Sequence, residues 1–151
     1  MKILGIETSC DETSAAVIED GKKILSNVVA SSKDLHEKTG GIIPEIAARE
    51  QVKCIIPVIE EALQQCNNIA VNDIDSIAVT IGPGLIGSLL VGVETAKILS
   101  LVWQKPLIPI NHLLGHFYAN WIAPSSLRDH KVAKQSTMRS PRLFHRLAMT
   151  Y

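Results

Sequence analysis

Three short strand-like runs precede any helix in this chain, and that order restricts its fold more than any other feature. Lys2–Glu7, Ser14–Glu19 and Lys22–Ala30 are short segments rich in Ile, Val and Ala. Asp20-Gly21 joins the second run to the third, a strong hairpin signal. The chain therefore opens as an antiparallel meander. After a polar stretch, Lys33–Gly41, the apolar period changes. Ile46, Ala47, Glu50, Cys54, Val58, Ala62 and Leu63 fall on helical spacing and predict a helix over Pro44–Gln65. Pro44 suits a first turn, and Pro57 inside the pattern predicts a kink or break. Asp75–Ile81 then reads as a strand, Ile86–Trp103 as a helix, Pro106–Ile110 as a strand, and His112–Ile122 as the start of another helix. The order β-β-β-α-β-α-β-α implies an α/β fold: a mixed five-stranded sheet with an antiparallel opening meander and covering helices.

Length and composition narrow the class. The chain has 151 residues, so one domain is the prior. Its apolar fraction of 46% supports a core, and its 4% of aromatics means that Ile, Leu, Val and Ala build it. Zero net charge hides an asymmetry. Residues 1–124 carry nine Lys/Arg and fourteen Asp/Glu, whereas residues 125–151 carry six Lys/Arg and one Asp. Such a shift sets 125–151 apart as a basic tail. Cys10, Cys54 and Cys66 are odd in number and not spaced as pairs, which implies reduced thiols and a cytoplasmic chain. Met1-Lys2 runs directly into the first strand, so no signal peptide is expected. Leu85–Trp103 is apolar but contains Glu94 and Lys97, and it reads as a buried helix more than a membrane span.

Four segments could carry chemistry. Gly5-Ile-Glu-Thr-Ser-Cys-Asp-Glu-Thr13 ends the first strand with hydroxyls, the adjacent carboxylates Asp11 and Glu12, and a run of backbone N–H groups. Such a loop can hold a phosphate and its metal ion, and it can equally be a polar hairpin turn. On the ligand reading, Ser9, Cys10 and Thr13 contact the phosphate. His112 and His116 stand four residues apart after a strand end, where one helix face offers both imidazoles to one ion. Two solvated histidines are the plain alternative. No Glu follows His112, so the zinc-protease pattern, with its built-in base, is missing. Gly82-Pro-Gly-Leu-Ile-Gly87 lets backbone approach a ligand at a helix start, with Gly82 and Gly84 as the contacts, or simply permits a tight turn and close helix packing. The stretch 33–49, with His36, Glu37, Lys38, Gly40, Gly41, Pro44, Glu45 and Arg49, reads either as a solvated face or as a gated loop over the site.

Taken together, these motifs resemble one family. Gly5–Thr13, His36 with Gly40-Gly41, Pro44-Glu-Ile-Ala-Ala-Arg-Glu50, Gly82–Gly87 and Asn111-His-Leu-Leu-Gly-His116 are similar, in consistent order, to the tRNA adenosine threonylcarbamoyltransferases, formerly called glycoproteases or O-sialoglycoprotein endopeptidases. The resemblance runs from Met1 to about Pro124 and is closest to the bacterial branch. It implies the N-terminal lobe of the actin, sugar-kinase and DnaK-like (RNase H-like) fold over 1–124. It also implies transfer of a threonylcarbamoyl group from its adenylate to N6 of the adenosine beside the anticodon. The implied cofactors are a divalent metal, iron or zinc, on His112 and His116, and a nucleotide, threonylcarbamoyl-AMP or ATP. Asp11 and Glu12 are then the residues near ion and phosphates. The implied partners are tRNA, a TsaB-like paralogue and a TsaE-like ATPase, with no membrane.

After Pro124 the resemblance stops. The family's Ser-Gly-Gly-His-Thr and the Asp that completes its metal site have no counterpart here, and Asp129 is the only acid beyond Glu94. A frameshift or misread junction explains the tail, as does a natural truncation or a basic arm for tRNA phosphate. The expectation is no transferase activity from this chain alone, weak or absent nucleotide binding, and exposed faces prone to self-association. The alternatives are a non-catalytic lobe that binds the TsaB-like paralogue and, less well founded, a metalloprotease.

Overall fold

The computed structural model describes residues 1–32, 36, 40–67 and 69–122. The tail 125–151 and the residues Glu37 and Lys38 of the gated-loop reading lie outside the described residues. Five strands form one sheet: β1 (Lys2–Glu7), β2 (Glu12–Glu19), β3 (Lys23–Ser31), β4 (Ser76–Gly82) and β5 (Leu107–Asn111). Their order across the sheet is β3-β2-β1-β4-β5. β1, β2 and β3 pair antiparallel, while β4 runs parallel to both β1 and β5. The expected mixed sheet with an antiparallel opening meander is therefore present.

The pleat explains the core. Leu4 pairs with Val17 and Ile77, and Ile6 pairs with Ala15 and Val79, which places one apolar set on one face. All six are buried. The helix α1 (Pro44–Gln65) covers this face over β2 and β3, and α2 (Ile86–Trp103) covers it over β4. Ile55, Val58, Ile59 and Ala62 of α1 and Ala96 of α2 complete the cluster. A short helix, α3 (His112–Ala119), follows β5. A 3-10 turn, Val71–Asp73, precedes β4 and has no counterpart in the sequence reading.

Several expectations need correction. β2 starts at Glu12 rather than Ser14, because Glu12 and Thr13 pair with Ser31 and Ala30, so the polar loop is only 8–11. α3 ends at Ala119, with Asn120 taking over as its cap. α1 does not break at Pro57. That residue is on the exposed face, where water can hydrate the carbonyl its missing N–H leaves free, and buried Ile55, Val58 and Ile59 hold the helix on either side. The buried stripe of α1 is also rotated. It runs through Ala47, Gln51, Ile55, Val58, Ile59 and Ala62, while Ile46 is exposed.

α2 is not a buried helix. It approaches the sheet through a stripe of small residues, Ser88, Gly92 and Ala96, and leaves Ile86, Leu90, Ile98, Leu101 and Val102 exposed. Among the described residues it is the one helix long and apolar enough to cross a membrane. Here it is the crossover that joins parallel strands β4 and β5 and packs on both β4 and α1.

Candidate functional site

The carboxyl ends of β1, β4 and β5 meet at one edge of the sheet, the place where open α/β sheets gather ligands. β1 delivers Glu7 and the loop 8–11, β4 delivers the glycine turn, and β5 delivers α3 with its two histidines.

α3 begins abruptly because Asn111 caps it. The Asn111 Oδ1 accepts from the N–H groups of Leu113 at 2.9 Å and Leu114 at 3.3 Å. The cap fixes the first turn and thereby His112. One turn on, His116 Nε2 lies 2.8 Å from His112 Nε2, with the rings edge to face at 85°. On its other side His112 Nδ1 is 3.2 Å from Ser9 Oγ and 3.4 Å from Glu7 Oε2. A carboxylate can only accept, so the contact with Glu7 favours the proton on Nδ1 and leaves the Nε2 lone pair facing His116. Burial, and then the neighbouring His112, lower the pKa of His116, opposed by Glu7. Both effects favour neutral imidazole, the form that ligates metals.

Glu7 is the residue that sequence reasoning passed over. Its Oε1 accepts from Ser9 N–H at 2.5 Å while Oε2 faces His112, so it links the end of β1 to α3. No feature of the sequence links it to His112, 105 residues away.

The loop 8–11 is strapped from three sides. Thr8, fully buried, donates through Oγ1 to Ser88 O at 2.8 Å, so this hydroxyl serves packing and is not presented to a ligand. Leu85 N–H donates to Ser9 O at 2.7 Å, and Ser88 Oγ donates to Cys10 O at 2.9 Å. Ser32 donates through N–H and Oγ to Asp11 O at 3.1 and 2.9 Å. From α1, Gln51 Nε2 lies 3.0 Å from the carbonyls of Cys10 and Glu12.

The glycine turn is pressed onto this loop. A Cβ on Gly84 would stand 2.6 Å from Ser9 O, and one on Gly92 would run into Thr8 Oγ1. Gly82 has φ +147°, a conformation L side chains rarely adopt. Close packing, one of the two readings of Gly82–Gly87, thus describes Gly84 well.

The structure brings Ser9 and His112 together beside Glu7, with Gly84 packed on Ser9 and His116 on His112. Asp11 and Thr13 instead line a shallow cleft against α1, with Ser31, Ser32, Glu50 and Cys54. Thr13 is buried within β2, and Glu12 opens that strand with its carbonyl on Gln51. Cys10 is half-buried, and burial, with the adjacent Asp11, pushes its thiol up to about 11. His36, from the gated-loop reading, is buried, with Nε2 3.1 Å from Ser32 Oγ.

The histidine pair is suited to a metal as two of its ligands. Bonds of about 2.0–2.1 Å from an ion to imidazole nitrogens place neighbouring donors roughly 3 Å apart, near the observed separation. His112 also has a carboxylate behind its other nitrogen, the usual outer-shell arrangement of a ligating histidine. Among the described residues no group of three or more His, Cys, Asp and Glu side chains is placed to hold an ion. Within the described residues the pair can therefore supply only part of a coordination sphere.

The architecture is that of the RNase H-like and actin-like α/β proteins. It is similar to YeaZ from Pseudomonas aeruginosa, with a TM-score of 0.53 and 18% identity over 74% of this chain and 45% of that one. RuvC of T. thermophilus, solved with a Holliday junction substrate, matches with a TM-score of 0.52 at 15% identity, covering 98% of this chain and 88% of its own. At such identities these likenesses show the fold alone. The sequence specifies more. Residues 23–129 match the family model for TsaD, tRNA N6-adenosine threonylcarbamoyltransferase, and the chain belongs to that family. It is 60% identical over 122 residues to the tRNA N6-adenosine threonylcarbamoyltransferase of Thermomicrobium roseum, covering 81% of this chain and 33% of that protein. The enzyme of the same name from Staphylococcus haemolyticus is 57% identical over 78% of this chain and 34% of its own length. The chain thus spans about a third of the relatives it matches.

Proposed function

We propose that this chain forms the histidine-bearing, N-terminal part of a threonylcarbamoyl-transfer site that modifies tRNA. Family membership supports the reaction, and the observation that carries the site is the 2.8 Å approach of the His112 and His116 Nε2 atoms, backed by Glu7 at His112 Nδ1. In this reading the two imidazoles hold a divalent ion, iron or zinc. When bound, that ion supplies Lewis-acid polarisation of the threonylcarbamoyl donor. Glu7 keeps the proton on His112 Nδ1 and turns the Nε2 lone pair inward. Ser9, strapped by Leu85 and Glu7, closes the wall beside His112 and faces the donor's nucleotide with Gly82 and Gly84. Asp11, at the β2 end of the loop, and Glu12, the first residue of β2, orient the donor or move its protons from the side of the cleft against α1 and not from the histidine pair. The Cys10 thiol, raised to about 11, stays protonated near neutrality and acts as a weak donor, not as a nucleophile. Further ligands and the second wall of a nucleotide cleft are contributed by groups other than the described residues, and the described residues by themselves bind metal weakly and turn over no donor.

The test is calorimetric titration of the 151-residue protein with Zn²⁺ and Co²⁺, beside His112→Ala and His116→Ala. Weak one-site binding by the parent and none by either variant is the expected result. Equal binding by all three would remove the site. Robust transfer by the 151-residue protein, given threonylcarbamoyl-AMP and tRNA, would overturn its dependence on other groups.

A second reading has its own observation. Val52 and Ile56 of α1 and Leu90, Ile98 and Leu101 of α2 are exposed apolar side chains on adjoining helices. They suit the docking of a TsaB-like paralogue. Co-purification without turnover would favour that role.

A further inference from the structure

Gln51 is 1% exposed, and it occupies a position on α1 where an apolar side chain would meet the core stripe. Its amide is used instead to hold backbone. Nε2 lies 3.0 Å from Cys10 O, 3.0 Å from Glu12 O and 3.4 Å from Thr8 O. The carbonyls of Thr8 and Cys10 belong to the residues on either side of Ser9. Ser9 itself is held by Glu7 at its N–H and by Leu85 at its carbonyl. Gln51 thus brackets the one loop residue whose hydroxyl reaches His112 Nδ1. Its Oε1 is buried and has no partner among the described residues. An unmatched acceptor is costly in a core, and the amide's two N–H groups at the loop are what offset it.

We propose that Gln51 is a positioning residue: from α1 it fixes the peptide groups around Ser9, so that Ser9 Oγ holds the His112 imidazole in the orientation in which Glu7 selects its tautomer. The link is second-hand, from amide to backbone to hydroxyl to ring, as in outer shells that tune a ligating histidine. It rests on the reading of His112 as a site residue only for its functional meaning. The geometry is testable in metal-free protein, whereas metal titration of the parent tests the site itself, so failure of one leaves the other standing.

The experiment is long-range ¹H–¹⁵N spectroscopy of the histidine rings in the full 151-residue protein at one fixed pH. The parent should show His112 as a single tautomer with well-separated ring nitrogens. Gln51→Met keeps length and removes both donors, and it should narrow that separation by about a factor of two or more as tautomers mix. Ser9→Ala should do the same, and the double variant should add nothing beyond either single change. Ile59→Val, a core truncation on α1 away from the loop, lowers stability and should leave the His112 signals in place. Should Gln51→Met not fold, Gln51→Asn, which withdraws the amide by one methylene, is read in the same way. A folded Gln51 variant with parental His112 signals overturns the proposal, as does an equal change in Ile59→Val.

Discussion

His116 Nε2 lies 2.8 Å from His112 Nε2, a distance at which one ring must donate and the other accept. Two imidazolium rings cannot share it. This relation sets the pH behaviour of the site.

His116 has a lowered pKa in the fold, first through burial and then through His112. The unfolded chain, with an ordinary histidine near 6.5, therefore takes up its proton at higher pH than the folded one. Stability from this group is complete above that value. It declines as pH falls below it toward the lowered folded value. The melting temperature should accordingly drop between neutral and mildly acidic pH, and His116→Gln should flatten that part of the curve. A parental slope in His116→Gln would show that other groups cause it.

Glycines in two places should respond oppositely to alanine. At Gly84 the new Cβ would meet Ser9 O at 2.6 Å, backbone that is itself bonded to Leu85. Overpacking there should cost about 1–3 kcal/mol and displace Ser9 from His112. At Gly115, within α3 between the histidines, an added Cβ meets no atom of the described residues within 4 Å. Gly115→Ala should be neutral or stabilise by up to about 1 kcal/mol through helix propensity. Urea denaturation of the two variants measures both, and a tolerant Gly84 would mean that the turn can retreat from the loop.

The Cys10 thiol, held up to about 11, should resist alkylation. Near pH 8 its thiolate fraction is about one in a thousand. Iodoacetamide labelling read by mass spectrometry should stay slow at Cys10 until strongly alkaline pH. Fast labelling at neutral pH would remove the protonated-thiol role assigned to it.

Much of this fold was legible because its signals are local. Asp20-Gly21 marked a hairpin, and the helical period marked α1 and α2 at the bounds observed. What escaped was decided between elements. Gln51 looks like a surface residue in the sequence, yet it is buried because loop carbonyls from β1 and β2 need its donors. The apolar run of α2 suggested burial all round, but close approach to Thr8 selects Ser88, Gly92 and Ala96 for the inner face and turns the larger residues outward. The histidine spacing announced a shared face. The carboxylate behind it, Glu7, is 105 residues away in sequence and became visible only with β1 and β5 at one sheet edge.

Asn111 is the hinge between that edge and the histidines. α3 has eight residues, fewer than the roughly 12–15 an isolated helix needs in water, so it depends on its cap and its packing against β4 and β5. Asn111→Ala removes the acceptor of two N–H groups and should cost about 1 kcal/mol. Because α3 is short and its apolar residues are largely exposed, the loss should appear locally as fraying of its first turn. Amide exchange should quicken at Leu113 and Leu114 well before the β-sheet core, and metal binding by the histidine pair should weaken in parallel. Asn111→Asp restores an acceptor and adds a negative charge at a helix N-terminus, so it should recover both properties. If exchange in α3 is unchanged in Asn111→Ala, strand β5 and not the cap holds His112 in place.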